Sequence, residues 1–242
     1  MTATPMCRSY ICRDGTTRMP ARRPRTFSAY RGAKRTRQQL ILGPWTHGDR
    51  SLSHAGEVEF GPAAVVDGNL AEDFFALRRR WFDCWIKWQR NGVDDEPAAS
   101  IFVMGGGSGG RNRDGRLEHG GEWRSGSAWP LPETRWTSLY LHDDRSLAAV
   151  PPEATAAALN YAFDSHRPAP TLGSAISSGE PVMRAGAYDH TAMAERPDVL
   201  VFTTRPLEQE LEICLVDRAV VAKFGRDRRW DVAPYLTVGQ TV

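Results

Sequence analysis

The chain has 242 residues, an apolar fraction of 41% and eight tryptophans, enough to form the core of one large domain or two small ones. Its formal charge of +2 does not assign the whole chain to a strongly basic or strongly acidic class of protein. No run of 18 apolar residues occurs, which excludes a membrane-spanning helix of ordinary length. Four cysteines without a CxxC spacing favour a reducing compartment, and we expect a cytoplasmic protein.

The first part of the chain is strongly basic. Residues 1–38 hold ten basic side chains against one acid, Asp14, whereas the remainder carries a net charge of −7. No hydrophobic period is present, so we predict that residues 1–37 are irregular or disordered. These arginines suggest nucleic-acid binding, but no aromatic interleaving accompanies them, and a basic-tailed nucleic-acid binder is the least favoured function. Only three of the 31 basic residues are lysine, a bias typical of a GC-rich bacterial genome.

A short strand and a long helix follow the basic segment. Residues 38–42, QQLIL, read as a buried strand closed by Gly43 and Pro44, and residues 48–68 as a loop. The pattern then predicts a helix over residues 69–91, capped by Asn69 and Glu72 at its start and closed by Asn91-Gly92. Its apolar stripe consists of Leu70, Phe74, Leu77, Trp81, Trp85 and Trp88, which we expect to pack in a core.

The chain after Pro97 is predicted to be mainly β. Short apolar or alternating segments are separated by Gly, Pro, Ser and Asp, a pattern typical of a β-sandwich or jelly roll. The predicted strands are residues 99–105, 134–142, 157–164, 198–204 and 211–216.

A serine hydrolase signature is matched in form by Gly106-Gly107-Ser108-Gly109-Gly110. A nucleophile elbow requires a strand before the serine and a helix after it, so that a tight turn exposes the hydroxyl. Here the turn-forming sequence RNRDG follows, and with five glycines near one serine the match is expected from composition alone. We therefore interpret Ser108 as part of a hairpin loop rather than as a nucleophile.

Two histidines precede the helix and have different contexts. His54 lies near Asp49 and Glu57, but the spacing of a zinc-binding helix is absent, and we predict neither a metal nor a cofactor. His47 follows the buried strand through Gly43-Pro44, at the carboxyl end of a strand, where open α/β sheets build their sites. His47 is therefore the candidate catalytic residue.

Seven blocks of sequence resemble the CocE/NonD hydrolase family, which includes X-Pro dipeptidyl-peptidases and a cocaine esterase. They are collinear between residues 38 and 213, about three-quarters of the chain, and the block G-P-W-[ST]-H makes the resemblance specific. In order they are LILGPWTHGDRS, HAGEVEFGPAA, AEDFFALRRRWFDCWIK, IFVMGGG, EWRSGSAWPLP, SSGEPVMRAG and RPDVLVFTTRPLEQELEI.

The resemblance implies an α+β fragment that is mainly β. Residues 38–92 correspond to the terminal strand and helix of an α/β-hydrolase domain, and residues 93–242 to a partial jelly-roll β-sandwich in which residues 214–242 are atypical. His47 corresponds to the family's catalytic histidine, the base that takes the proton of the nucleophile and returns it to the leaving group. The parent reaction is hydrolysis of an ester or an X-Pro peptide or amide through an acyl-enzyme.

The departures from the family concern the rest of the triad. The family's serine lies on an elbow far upstream of the G-P-W-H block, and neither Ser9 nor Ser28 lies in a G-x-S-x-G, so we expect the nucleophile to be absent. Asp14 is the only candidate for the acid, although the family's G-W-Y does not precede it. The abrupt changes of sequence near both ends suggest a gene fragment with shifted reading frames.

Three functions follow from the sequence. The first is a member or fragment of this serine hydrolase family, inactive alone, whose parent enzymes act on small-molecule esters or peptides. The second is a non-catalytic β-sandwich module for binding or interaction, and the third is the nucleic-acid binder. In each case we expect no membrane partner, and a second copy or a partner chain is expected to cover the helix face of Trp81, Trp85 and Trp88.

Overall fold

A computed structural model describes most of the chain after its basic segment. Asp14, Cys7, Cys12 and Asp49 lie outside the described residues, and the described residues after 213 are described by their backbone alone. The described residues are 37–47, 50–153, 155–162, 164–170, 172–173, 182, 184–208, 211–219, 222–224, 230–232 and 235–241.

The chain divides into two compact units, and strands dominate the regular structure of both. The first unit comprises Met1–Pro132 and Thr171–Tyr188, and the second Glu133–Pro170 and Asp189–Val242. The predicted mainly β fold is confirmed. The strands of the first unit are β1 (Leu40–Leu42), β2 (His54–Ala55), β3 (Val58–Glu59), β4 (Ala99–Met104), β5 (Leu117–Glu118) and β6 (Gly121–Gly126), joined by a 3-10 helix (Pro62–Ala64) and by helix α1 (Phe74–Trp85).

The first unit is built on a mixed sheet of order β1-β4-β6. Strand β1 runs parallel to β4, and β6 runs antiparallel to β4 on its other side. All three residues of β1 are buried, as the apolar run predicted. The predicted domain boundary between residues 92 and 93 stays a prediction.

Residues 48–68 were predicted to be a loop, and the structure corrects this. Strands β2 and β3 form a hairpin there, and β3 pairs in parallel with β5. Each strand has only two residues, which is too short for an alternating pattern to be visible in the sequence. The strands form because the hairpin buries Ala55, Val58 and Phe60 against Phe102 of β4.

Helix α1 is shorter than the predicted helix at both ends. Its N-cap is Asp73, whose carboxylate accepts a hydrogen bond from the Ala76 N–H at 2.6 Å. Asn69, the predicted cap, instead donates from its side-chain amide to the carbonyls of Pro62 and Val65 at 3.0 and 3.1 Å. An aspartate is as good a cap as an asparagine, so the tertiary contacts of Asn69 decide where the helix begins.

The helix ends at Trp85 because the chain turns sharply after it. Trp88 has a φ of 60°, and the N–H of Gln89 donates to the carbonyl of Asp83 at 3.0 Å. Asn91, predicted to close the helix, donates from its side chain to the carbonyl of Arg80 at 2.8 Å. Trp81 is buried, but Trp88 is 73% exposed, so the predicted tryptophan face is not continuous.

The strands of the second unit are β7 (Arg135–Leu141), β8 (Leu147–Ala148), β9 (Glu212–Ala219), β10 (Ala222–Phe224), β11 (Trp230–Val232) and β12 (Tyr235–Thr241), with the short helix α2 (Thr191–Ala194). They form an antiparallel sheet of order β8-β7-β12-β9 and a separate hairpin, β10-β11. The prediction of a strand over residues 134–142 is confirmed by β7, and the strand predicted over residues 211–216 overlaps β9.

Two further strand predictions in this unit are wrong. No strand forms at the described residues between 157 and 164, most of whose side chains are exposed. Residues 198–204 contain only an isolated bridge between Thr203 and Ser146. Apolar and β-branched side chains favour a strand only where a neighbouring strand accepts their backbone hydrogen bonds. Among the described residues of these two segments, Thr203 alone makes such bonds, with Arg145 and Leu147, and one position is too few for a strand.

A bidentate ion pair in the second unit makes its stability depend on pH. The Arg196 guanidinium donates two hydrogen bonds to Asp198, at 2.8 and 2.7 Å, and these hydrogen bonds hold the pKa of Asp198 below its ordinary value of 3.8. A carboxyl whose pKa is lowered in the folded state stabilises the fold above its ordinary pKa, and this contribution disappears as the pH falls through the lowered value.

We therefore expect Asp198→Asn to melt at a lower temperature than the wild type at neutral pH, and the difference to shrink below pH 3.8. Circular dichroism melts between about pH 7 and pH 2.5 measure this difference. The variant Arg196→Gln serves as the control, since it removes the donor and should reproduce the effect. A difference that stays constant across the whole range would contradict the assignment.

Candidate functional site

The candidate site follows the carboxyl end of β1. This strand is buried and parallel to β4, the arrangement in which the loops after strand ends build binding and catalytic sites. The loop consists of Gly43, Pro44, Trp45, Thr46 and His47. Its first three residues are buried and His47 is exposed, so the loop emerges from the core and presents the histidine at the surface.

Trp45 anchors this loop in the first unit. Its indole Nε1 donates to the carbonyl of Ala64 at 2.8 Å, and its ring packs with Ile41, Val66 and Leu77. The ring also lies across Gly43, where a Cβ atom would come within 2.4 Å of the ring carbons. Gly43 is therefore required for close packing of the loop, which explains the Gly-Pro-Trp order.

A second indole, which the sequence did not single out, supports the first. Trp123 of β6 lies 5.7 Å from Trp45 between ring centroids and donates from Nε1 to the carbonyl of Ala63 at 2.8 Å. The two indoles thus bind adjacent carbonyls of the 3-10 helix. The role of Trp123 follows from the register of β6 against β4, in which Trp123 pairs with the buried Phe102. This register is visible only in the structure.

His47 lies two residues beyond the anchored Trp45, and its imidazole hydrogen-bonds no other residue that the structure describes. An exposed imidazole is suited to proton transfer because one ring nitrogen can accept a proton while the other carries one. Asp14, the candidate for the acid, lies outside the described part of the chain. The assignment of His47 as a catalytic base therefore stays a prediction.

Ser108 occupies an exposed turn rather than an elbow between a strand and a helix. Its hydroxyl lies 3.3 Å from Glu118 Oε2 and accepts a hydrogen bond from the Gly110 N–H at 3.1 Å. The neighbouring Gly107 and Gly109 both have positive φ, and the chain returns to β5 instead of entering a helix. The hydroxyl is thus associated with a carboxylate and not with the imidazole that a nucleophilic serine needs.

The other polar candidates do not assemble into a site. His54 is half-buried in β2 opposite Glu59, and Glu57 is exposed in the following turn. Within the described ranges no group of three or more His, Cys, Asp and Glu side chains is placed to hold a metal ion. The helices found in these same ranges are all too short or too polar to cross a membrane.

Residues 91–214 match the model of the X-Pro dipeptidyl-peptidase C-terminal non-catalytic domain, which is just over half of the chain. The chain therefore belongs to this family, and its predicted relationship to the CocE/NonD hydrolases is confirmed.

Parts of this chain are similar to individual proteins and solved structures. A cocaine esterase from Rhodococcus sp. (strain MB1 Bresler) is 26% identical over 199 residues, which cover 78% of this chain and 30% of the esterase. An aminopeptidase from a marine sediment archaeon, Thaumarchaeota archaeon, shares the fold with a TM-score of 0.55 and 20% identity, over 78% of this chain and 28% of that chain. A CocE/NonD family hydrolase from Staphylococcus aureus is 27% identical over 30% of this chain and 11% of its own, with a TM-score of 0.23. The chain thus spans less than a third of the length of the relatives it matches.

Proposed function

We propose that this chain contributes the histidine-bearing end of a serine hydrolase site together with an accessory β-domain. The observation that carries this proposal is the exposed His47, held beyond a buried parallel strand by the anchored Trp45. In the complete site His47 accepts the proton of the nucleophile during acylation and gives it to the leaving group. The substrates are esters or X-Pro peptides and amides, which are cleaved through an acyl-enzyme.

The 242-residue polypeptide by itself is not a catalyst under this proposal. A base without its nucleophile cannot form the acyl-enzyme, and the loss of one triad member typically lowers the rate constant on the order of a million-fold. Ser108, which matches the serine hydrolase signature in form, offers no replacement, because its hydroxyl is associated with Glu118 instead of with an imidazole.

We therefore expect the purified chain to hydrolyse a p-nitrophenyl ester no faster than free imidazole at the same concentration, because His47 alone provides only an imidazole. The measurement is release of p-nitrophenol by the wild type and by His47→Ala. Both should be equally slow. A burst of product that disappears in His47→Ala would overturn the prediction of inactivity.

A fluorophosphonate probe gives an independent control, because it labels serines that a neighbouring base activates. We expect no labelling of the wild type, and the same result for Ser108→Ala. Labelling that depends on Ser108 would identify a nucleophile in the loop after β4 and would contradict the assignment of this loop as an inert turn.

A non-catalytic interaction module is the second candidate function. It is favoured by one specific observation, namely that the matched family is a non-catalytic domain covering residues 91–214. The two functions predict different effects of replacing His47. An interaction module keeps its binding properties in His47→Ala, whereas a chain that completes a hydrolase site loses its contribution to catalysis.

A further inference from the structure

Helix α1 carries a second apolar face, on the side opposite its buried residues. This outer stripe consists of Phe75 and Phe82 together with Ile86, which directly follows the helix, and the three side chains are 69%, 37% and 57% exposed. They are spaced by seven and four residues and so fall within about 20° of one direction around the helix. The buried face contains Leu77, Trp81 and Cys84 instead. An apolar row on a solvent-facing helix is typical of an interaction surface.

Two arginines flank the outer stripe. Arg78 and Arg79 follow Phe75 by three and four residues, which places them about 60° to one side and about 40° to the other. Both are exposed, and no carboxylate among the described residues pairs with either of them. Lys87, near the end of the stripe, already pairs with Asp83 at 2.6 Å. The stripe is therefore an apolar row between two positive charges.

The charge pattern decides what this surface can bind. A twofold dimer with its axis along the helix would bring the arginines of the two copies together, whereas an antiparallel dimer would bring them near Asp83, which Lys87 already pairs. Like charges brought together at an interface are unfavourable and suppress the wrong pairing. A surface with carboxylates on both sides of an apolar row is complementary to the outer stripe in its apolar row and to the arginines in its charge.

We propose that the outer stripe is a docking surface for another protein that presents an apolar row flanked by acidic side chains. The proposal concerns a different face from the one expected at the sequence level, because Trp81 is buried within the chain and Trp85 is partly buried beside it. It does not depend on the role of His47, and its test needs no catalytic activity.

The test uses two stapled helical peptides of about 18 residues. Each carries leucines at every third and fourth position, flanked by glutamates in one peptide and by lysines in the other. We expect the full chain to bind the glutamate peptide roughly tenfold more tightly than the lysine peptide, measured by fluorescence anisotropy in about 0.05 M salt, and the preference to weaken in about 0.5 M salt.

Two variants separate the apolar and the charged contributions. Phe75→Ser/Phe82→Ser should abolish binding of both peptides, because it removes the apolar row. Arg78→Glu/Arg79→Glu should invert the preference toward the lysine peptide. Arg113→Glu/Arg135→Glu makes the same change of net charge at exposed positions that do not belong to helix α1 and should leave the preference unchanged. Circular dichroism establishes that each variant is folded.

Three outcomes would overturn the proposal. The first is equal affinity for the two peptides at low salt. The second is a preference that Arg113→Glu/Arg135→Glu changes as much as Arg78→Glu/Arg79→Glu does, which would reflect net charge alone. The third is a dimer in light scattering that Phe75→Ser/Phe82→Ser dissociates, which would assign the surface to a second copy of this chain.

Discussion

Replacement of Phe60 by alanine is expected to lower the free energy of unfolding by about 3–5 kcal/mol, the cost of removing a buried aromatic ring and leaving a cavity. Phe60 is only 2% exposed and packs with Ala55, Val58, Ala64 and Phe102 in the core of the first unit. Its ring meets the Phe102 ring edge-on at 6.3 Å between centroids. Urea unfolding followed by circular dichroism measures the loss.

Phe75→Ala provides the matched control for this prediction, because it makes the same chemical change on an exposed side chain. The ring of Phe75 is 69% exposed, so we expect its removal to change the stability by less than about 0.5 kcal/mol. Equal losses in the two variants would mean that Phe60 does not lie in the core described above.

Gly56→Ala is the second change with a large expected effect, about 2–5 kcal/mol of lost stability. Gly56 has a φ of 65°, which costs a non-glycine residue about 1–2 kcal/mol. A Cβ atom there would also come within 2.3 Å of the Ala187 carbonyl oxygen, and relief of such overpacking typically costs a further 1–3 kcal/mol or so. The backbone contacted by the new methyl group cannot move without breaking the hydrogen bond from Glu57 N–H to Ala187, which is 2.7 Å long.

Gly68→Ala separates the two costs at Gly56. Gly68 also has a positive φ, 75°, but no atom lies within 4 Å of the position that a Cβ would take. We therefore expect this variant to lose only the conformational part, about 1–2 kcal/mol. Thermal or urea unfolding of both variants tests the difference, and identical losses would show that the approach of Gly56 to Ala187 is not tight.

The anchored loop shows how far sequence reasoning reaches. The apolar run before Gly43 predicted the buried strand β1, and the Gly-Pro-Trp-Thr-His order pointed to the family, because both signals are contained in a few adjacent residues. The reason for that order was not visible. It depends on the packing of Trp45 over Gly43 and on the carbonyl of Ala64, which lies nineteen residues further along the chain.

The helix shows the same division. The 3.6-residue period predicted a helix of the right type in the right place, with Leu77 and Trp81 in the core. Its ends were misplaced, because Asn69 has carbonyl partners in the 3-10 helix region and Trp88 adopts a positive φ. The residues of the outer stripe also recur at helical spacing in the sequence, but only the structure shows that they lie on the exposed side, opposite Leu77 and Trp81.

The sequence by itself determined the family, the mainly β class and the approximate positions of β1, helix α1, β4 and β7. These depend on local periodicity and on motifs whose residues are adjacent. Only the tertiary structure decided which tryptophans are buried, where helix α1 begins and ends, and which glycines allow backbones to approach. Those outcomes depend on hydrogen-bond partners and packing neighbours that are distant along the chain, so no local pattern records them.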